Sequence, residues 1–278
     1  MNKNVYFTSK RLIHNYINIQ KYPELSTSSS KTQKEEFYIK GHNDFNHGFL
    51  HLPNFINNNT IQNLKSETII YLNTKKTYRS VKSFNVYLKD NASDLLESSS
   101  KVVISKEDIP KDSIMAKLYN SHELLELISK VVMGIDSKSE NKTLYKSDDP
   151  KGAFYYNYFF HGDSLGFHFD NSEFFINIVV QNAIKGGVFE YVYNLRSQDN
   201  NNIEEVKEVY NKRENYKNLQ RFNDISEGSL VVFRGRYSLH RVTPVIGLTP
   251  RINSILTFER KPGVKLEDYT RKKFFGEV

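Results

Sequence analysis

The chain reads as an α+β fold, with helices in its first half and an antiparallel β-domain in its second, packed as one unit. Two patterns predict this. Before residue 134, apolar side chains recur at helical spacing behind capping residues; after Pro150, aromatic and β-branched runs alternate with Gly, Asn, Asp and Pro. Composition permits such a fold, since 38% hydrophobic and 13% aromatic residues over 278 positions can bury a substantial core.

Residues 1–36 are polar and end in Ser26-Thr27-Ser28-Ser29-Ser30, which predicts a flexible or weakly ordered N-terminal segment. No apolar run follows Met1, so a secretory signal is not expected and the predicted location is cytoplasmic. The acid-poor stretch carrying Lys3, Lys10, Arg11 and Lys21 leaves an organelle transit peptide as the alternative. Residues 37–278 predict a single domain. Asn57-Asn58-Asn59-Thr60 supplies an N-cap for a helix with the stripe Ile61, Leu64, Thr68 and Tyr71. A second helix is predicted over 121–133. Ser121 caps it, Glu123 and Glu126 occupy its first turns, Leu124, Leu125, Ile128, Val131 and Val132 form its stripe, and Gly134 stops it. Strands are predicted at 154–160, 174–181, 188–193, 229–233 and 251–260. They form a β-core of about 150–262, interrupted by a polar insert at about 194–227 with a short helix near 203–213.

Several function classes fall away. A mean hydropathy of −0.59 and the lack of a long apolar run exclude a membrane-spanning helix. The absence of cysteine excludes a disulfide scaffold, a cysteine zinc finger and a thiol nucleophile, so any metal is held by His, Asp or Glu. A net charge of +7 could favour nucleic acid, but no basic stripe is interleaved with aromatics. Abundant Lys, Asn and Ile without tryptophan fit an AT-rich coding background instead.

The metal search then rests on eight histidines. A His-x-Asp pair on a strand points an imidazole and a carboxylate to one face. A distant second His completes the two-His-one-carboxylate triad of non-haem Fe(II). His42-Asn43-Asp44 lies in a polar segment and reads as a solvated loop, and His161-Gly162-Asp163 reads as a hairpin turn. His168-Phe169-Asp170, flanked by Phe167 and followed by a strand, is the candidate. His240 lies several strands downstream, in Phe233-Arg234-Gly235-Arg236-Tyr237-Ser238-Leu239-His240-Arg241-Val242-Thr243-Pro244. Arg251 opens the last strong strand, where a guanidinium can grip a carboxylate bidentately.

These motifs form a wider pattern. Gly166-Phe167-His168-Phe169-Asp170-Asn171-Ser172-Glu173-Phe174, Gly186-Gly187-Val188-Phe189-Glu190-Tyr191, the Phe233–Pro244 segment and Glu259-Arg260-Lys261-Pro262-Gly263 together resemble the Fe(II)/2-oxoglutarate oxygenases. More narrowly, they resemble the branch of the free-amino-acid radical halogenases and their hydroxylase relatives. Asn85-Val86-Tyr87-Leu88, Ile109-Pro110-Lys111-Asp112-Ser113 and Phe274-Phe275-Gly276 extend the resemblance over residues 37–277. It implies a double-stranded β-helix core, a cupin-like jelly roll, with supporting N-terminal helices. It also implies Fe(II) on His168, Asp170 and His240, and 2-oxoglutarate with its distal carboxylate on Arg251. It further implies O2 alongside 2-oxoglutarate as co-substrate, with ascorbate as an auxiliary reductant.

The halogenases of this branch have a small residue where this chain has Asp170. That departure implies hydroxylation or a related oxidation of a free amino acid or similar small polar metabolite, with succinate and CO2 as co-products. No nucleic-acid or membrane partner is expected, and the assembly is a monomer or homodimer. The alternatives are a nucleic-acid- or protein-modifying oxygenase and a non-catalytic jelly-roll binding module. If Arg251 faces the barrel interior, strand alternation also turns Asn253, Ile255 and Thr257 inward. Asn253 and Thr257 are therefore candidate substrate contacts, as are Asn171, which follows the carboxylate ligand, and Arg234 and Arg236, which lie on the approach to His240, whereas Phe154–Phe160 and Phe174–Phe175 read as core.

Overall fold

In the computed structural model, which describes residues 13–89, 94–135, 143–223 and 225–276, helices begin where polar caps meet buried side chains. Helix α1 (Lys31–Asn46) starts at a capping box between Ser30 and Gln33. Asn57 caps α2 (Asn58–Thr74), Ser113 caps α3 (Ile114–Asn120), and Ser121 caps α4 (His122–Met133), each accepting a backbone N–H in the first turn. Helix α5 (Ile203–Lys212) lies in the predicted insert, and α6 (Asp268–Phe275) follows the last strand.

The strands are β1 (Phe49–Leu52), β2 (Tyr78–Asn85), β3 (Leu96–Ile104), β4 (Tyr145–Lys146), β5 (Phe154–Phe159), β6 (Ser164–His168), β7 (Phe175–Gln181) and β8 (Lys185–Gly186). They continue with β9 (Phe189–Val192), β10 (Gln220–Phe222), β11 (Leu230–Phe233), β12 (Leu239–Val242), β13 (Val245–Ile246), β14 (Arg251–Leu256) and β15 (Phe258–Glu259). One antiparallel sheet runs β1-β11-β7-β14-β5-β3-β6-β12-β9-β10, with β2 added to β3. The long strand β3 makes the sheet curl. Its Val102–Ile104 end pairs with β5, while Ser99 and Ser100 pair with β6, so one strand serves two walls of a roll. This is the double-stranded β-helix.

Period-two alternation sorts the side chains of the wall strands. Tyr156 and Tyr158 of β5, Ile176, Ile178 and Val180 of β7, and Ile252 and Leu256 of β14 pack outward. They meet Leu64 of α2, Met115 of α3, and Leu124 and Ile128 of α4 in the main core. The intervening residues, Asn157, Asn177, Arg251 and Asn253 among them, face the interior of the roll. The helices thus seal one side of the sheet and leave the other free to build a site.

Three expectations need correction. The β-core begins well before residue 150, because β1, β2 and β3 belong to the same sheet. Half of β2 is exposed, Val81 included, so its sequence shows no apolar alternation. The described part of the N-terminal segment, residues 13–36, packs onto the domain. Ile13, Ile17 and Tyr22 are buried, Ile17 bridges Ile56, and the Tyr22 hydroxyl donates to Pro53 O. Lys3, Lys10 and Arg11 lie outside the described residues. Finally, His42 sits on α1 rather than in a loop, with Nδ1 2.7 Å from Val131 O on α4. Helix α1 is mostly polar, burying Tyr38, Gly41 and Phe45, and Gly41 allows Val131 to pack directly against its backbone. Among the described residues no helix is long and apolar enough to cross a membrane.

Candidate metal centre and anion pocket

Strands β6 and β12 are neighbours, and their register sets His168 directly opposite His240, with ring centroids 4.2 Å apart. Each Nδ1 lies 2.9 Å from the carbonyl two residues before it, Gly166 O for His168 and Ser238 O for His240. Donation to those carbonyls puts the proton on Nδ1 and leaves both Nε2 lone pairs available to a ligand. Asp170 follows β6, held by a hydrogen bond from its N–H to Gly235 O at 3.1 Å. Its Oδ1 is 3.5 Å from His168 Nε2, and its Oδ2 is 3.5 Å from His240 Nε2. A Cβ at Gly235 would overlap the Asp170 carboxylate, so glycine there is a condition for this placement.

These residues fit a divalent metal. One ligand atom from each of the three lies within 4.8 Å of the others, and Asp170 Oδ2 is buried without a hydrogen-bond partner. Burial, reinforced by His168, lowers the His240 pKa to about 4, which keeps it the neutral imidazole a metal requires. Burial pushes the Asp170 carboxyl up, but His240, the hydrogen bond and charge of His168, and Lys101 outweigh it, so the net shift is downward. At neutral pH the carboxylate of Asp170 is therefore ionised beside the neutral imidazole of His240.

A pH dependence follows for the metal-free protein. Unfolded His240 takes a proton below its ordinary value of 6.5, whereas folded His240 resists protonation down to about 4. Stability is therefore full above pH 6.5 and falls as pH drops toward 4, by roughly 2 kcal/mol on reaching pH 5. Urea melts at pH 7 and pH 5 check this, and His240→Gln should flatten the slope.

Arg251 opens β14 opposite Phe159 and is 4% exposed, with Nε lacking any hydrogen-bond partner. Burial lowers its guanidinium to about 10, still charged at neutral pH. No carboxylate pairs with it among the described residues. A buried cation in that state is costly unless an anion arrives. Arg251 and the triad line one cavity, which encloses about 940 Å3 including its mouth.

The predicted substrate contacts separate into two groups. Asn253 and Thr257 line the cavity: Asn253 Nδ2 donates to Asn177 Oδ1 at 3.0 Å, and Thr257 Oγ1 donates to Gly152 O at 3.0 Å. Asn171 also lines it, and its Nδ2 reaches Thr270 Oγ1 at 2.6 Å, tying α6 across the opening. Arg234 and Arg236 do not line it. The chain turns tightly after β11, with Ser238 N bonded to Arg234 O, and carries both away. The Arg234 guanidinium lies 5.3 Å from the Tyr237 ring and within 4.0 Å of Glu173, while Arg236 Nε donates to Asn171 O at 2.9 Å. Phe174 packs in the main core as expected but also borders the cavity, and Tyr155, Phe159 and Phe175 line it, Phe175 with its ring 5.7 Å from His240.

The rival His161-Gly162-Asp163 is a turn whose carboxylate is structural. Asp163 is 1% exposed, paired with Arg79 and accepting Phe160 N–H at 2.9 Å. Nothing in the sequence singles out Lys101, Asn157 or Asn177, which also line the cavity. Only the alternation of β3, β5 and β7, read with the register known, marks them as inward-facing.

The fold recurs in solved structures. A 2OG-Fe(II) oxygenase family oxidoreductase from Burkholderia pseudomallei aligns at 11% identity and TM-score 0.52, covering 83% of this chain and 92% of that one. The non-heme alpha-ketoglutarate-dependent epimerase SnoN of nogalamycin biosynthesis aligns at 10% identity and TM-score 0.54, covering 81% of each chain. HygX from Streptomyces hygroscopicus, solved with nickel, 2-oxoglutarate and hygromycin B, aligns at 11% identity and TM-score 0.50, covering 81% of this chain and 86% of that one. No curated protein matches the sequence. The family model described as Halogenase D matches residues 33–272, most of the chain, which therefore belongs to the Halogenase D family on the double-stranded β-helix fold of the Fe(II)/2-oxoglutarate oxygenases.

Proposed function

We propose that the protein is an Fe(II)- and 2-oxoglutarate-dependent dioxygenase that hydroxylates a free amino acid or similar small polar metabolite. The observation that carries this reading is the convergence of His168, Asp170 and His240 in the same cavity as the buried, unpaired Arg251. Iron, 2-oxoglutarate and O2 together supply an oxidant for an unactivated C–H bond, with succinate and CO2 released. The chain's own residues supply everything around that chemistry. His168, Asp170 and His240 would hold the metal as three protein ligands, which would leave positions for 2-oxoglutarate and O2. Arg251 grips the distal carboxylate of 2-oxoglutarate. The rings of Phe175, Phe189 and Phe233, each within 5.7 Å of the His240 ring centroid, keep water from the ligand. Asn253, Thr257 and Asn171, which line the cavity, orient the substrate in this reading. Asp170 favours hydroxylation, because its carboxylate takes the position that the halogenase relatives leave to a halide.

The test incubates the protein with Fe(II), ascorbate, 2-oxoglutarate and an amino-acid pool under air. Iron-dependent succinate and a pool member heavier by one oxygen are the expected products; no succinate would refute the reading. Arg251→Ala should weaken 2-oxoglutarate binding by about 30-fold or more, the cost of breaking a desolvated charge pair, while Fe(II) binding survives. Calorimetric titration of metal-loaded protein measures both.

A further inference from the structure

A second cation shares the cavity with Arg251. On β3 burial alternates so that Ser99, Lys101 and Val103 are buried, which turns Lys101 toward the interior of the roll. It is 4% exposed, and its ammonium lies 4.8 Å from the centroid of the Phe274 ring and 5.9 Å from that of Tyr155. No carboxylate forms an ion pair with it among the described residues. The acidic group whose charge reaches it is Asp170, already committed to the metal site. Burial lowers its pKa to about 7, with Asp170 partly opposing the shift. Lysine is rarely buried without a partner, and cation–π contacts replace only part of the lost hydration.

Its neighbours make a complementary demand. Lys101 stands where β3 changes partners, between β6, which carries His168, and β5, which carries Asn157. In the same cavity Asn157 Oδ1 and Asn253 Oδ1 are buried acceptors without donors. The cavity thus holds an amine whose charged form needs an anion, and amide oxygens in need of N–H or O–H groups. A lone lysine among Tyr155, Phe274 and Phe275 suits a monoanion better than a phosphate, which would call for more positive charge.

The geometry points to Lys101 as the specificity residue that reads a carboxylate of the substrate, with Asn157 and Asn253 accepting hydrogen bonds from the substrate's own donors. This rests on the oxygenase reading, in which Arg251 is occupied by 2-oxoglutarate. The substrate class is then a small carboxylic acid bearing N–H or O–H donors.

The experiment uses protein loaded with Ni(II), which sustains no turnover, and 2-oxoglutarate. Binding is read as a thermal shift and then as a Kd, across the common L-amino acids, their methyl esters and their decarboxylated amines. At least one acid should bind while its ester and amine bind at least about 30-fold more weakly. Lys101→Met should lose that acid by a similar factor and keep its 2-oxoglutarate Kd within about twofold, and Lys101→Arg should recover part of the affinity. Esters binding as well as acids, no acid binding, or a Lys101→Met protein that keeps the acid would overturn the assignment. A Lys101→Met protein that loses 2-oxoglutarate instead would place Lys101 on the co-substrate and overturn it equally. Failure of the unmodified protein to bind 2-oxoglutarate would refute the oxygenase reading, and this assignment with it.

Discussion

His168→Ala should abolish the visible charge-transfer absorbance that Fe(II) and 2-oxoglutarate produce together without oxygen, and His161→Ala should leave it intact. The two histidines occupy look-alike motifs, each two residues before an aspartate, so the comparison isolates what the fold adds. His168 faces His240 across β6 and β12, with Nδ1 committed to Gly166 O and Nε2 directed at Asp170. Removing it leaves one imidazole and one carboxylate, too few to hold Fe(II) against water. Losing a group that only hydrogen-bonds to a ligand costs about 10- to 100-fold in metal affinity, so losing a ligand should cost more than about 100-fold. His161 instead accepts Gly247 N–H at 3.1 Å in an exposed turn, and the Asp163 carboxylate is saturated by Arg79 and the Phe160 N–H. Equal loss in both variants would show that the absorbance reports folding rather than ligation.

That contrast also shows which parts of the site can be read from sequence. His168, Asp170, His240 and Arg251 stand out because the chemistry demands particular residue types near strands, and the strands around them are strongly apolar. The face of β14 was legible for the same reason: period-two alternation from Arg251 selects Asn253, Ile255 and Thr257, all of which line the cavity. Lys101, Asn157 and Asn177 were not legible. Each is an isolated polar residue whose inward direction depends on pairing with strands distant in sequence, and β3 in particular reads as a Ser-rich polar stretch. Arg234 and Arg236 show the opposite failure. Proximity to His240 in sequence suggested the pocket, but a tight turn after β11 spends them on Glu173, Tyr237 and the Asn171 carbonyl. The first helix escaped because it buries so little, leaving helical period without a hydrophobic stripe.

Turnover in chloride or bromide should give a product heavier by one oxygen, or lacking two hydrogens, and no halogenated mass. The expectation rests on how firmly Asp170 is held. Its N–H is fixed to Gly235 O, its carboxylate lies against the Gly235 backbone where no Cβ intervenes, and its two oxygens face the two imidazoles at 3.5 Å each. A halide would have to displace an anion that the fold delivers to the metal without loss of translational freedom, an advantage a free ion at ordinary salt does not match. It would also meet the negative charge of Asp170, whose carboxyl stays below its ordinary range despite burial. Asp170→Gly removes both obstacles and opens a ligand position, but it leaves the metal on two imidazoles. Oxygenation should fall by at least about 100-fold in that variant, the loss expected from deleting a ligand whose mere supporting contacts are worth 10- to 100-fold. Added formate, small enough to enter where the carboxylate was, should restore part of it. Mass spectrometry of the unmodified protein's products decides the main point: a chlorinated product would show that Asp170 does not occupy the third ligand position during turnover.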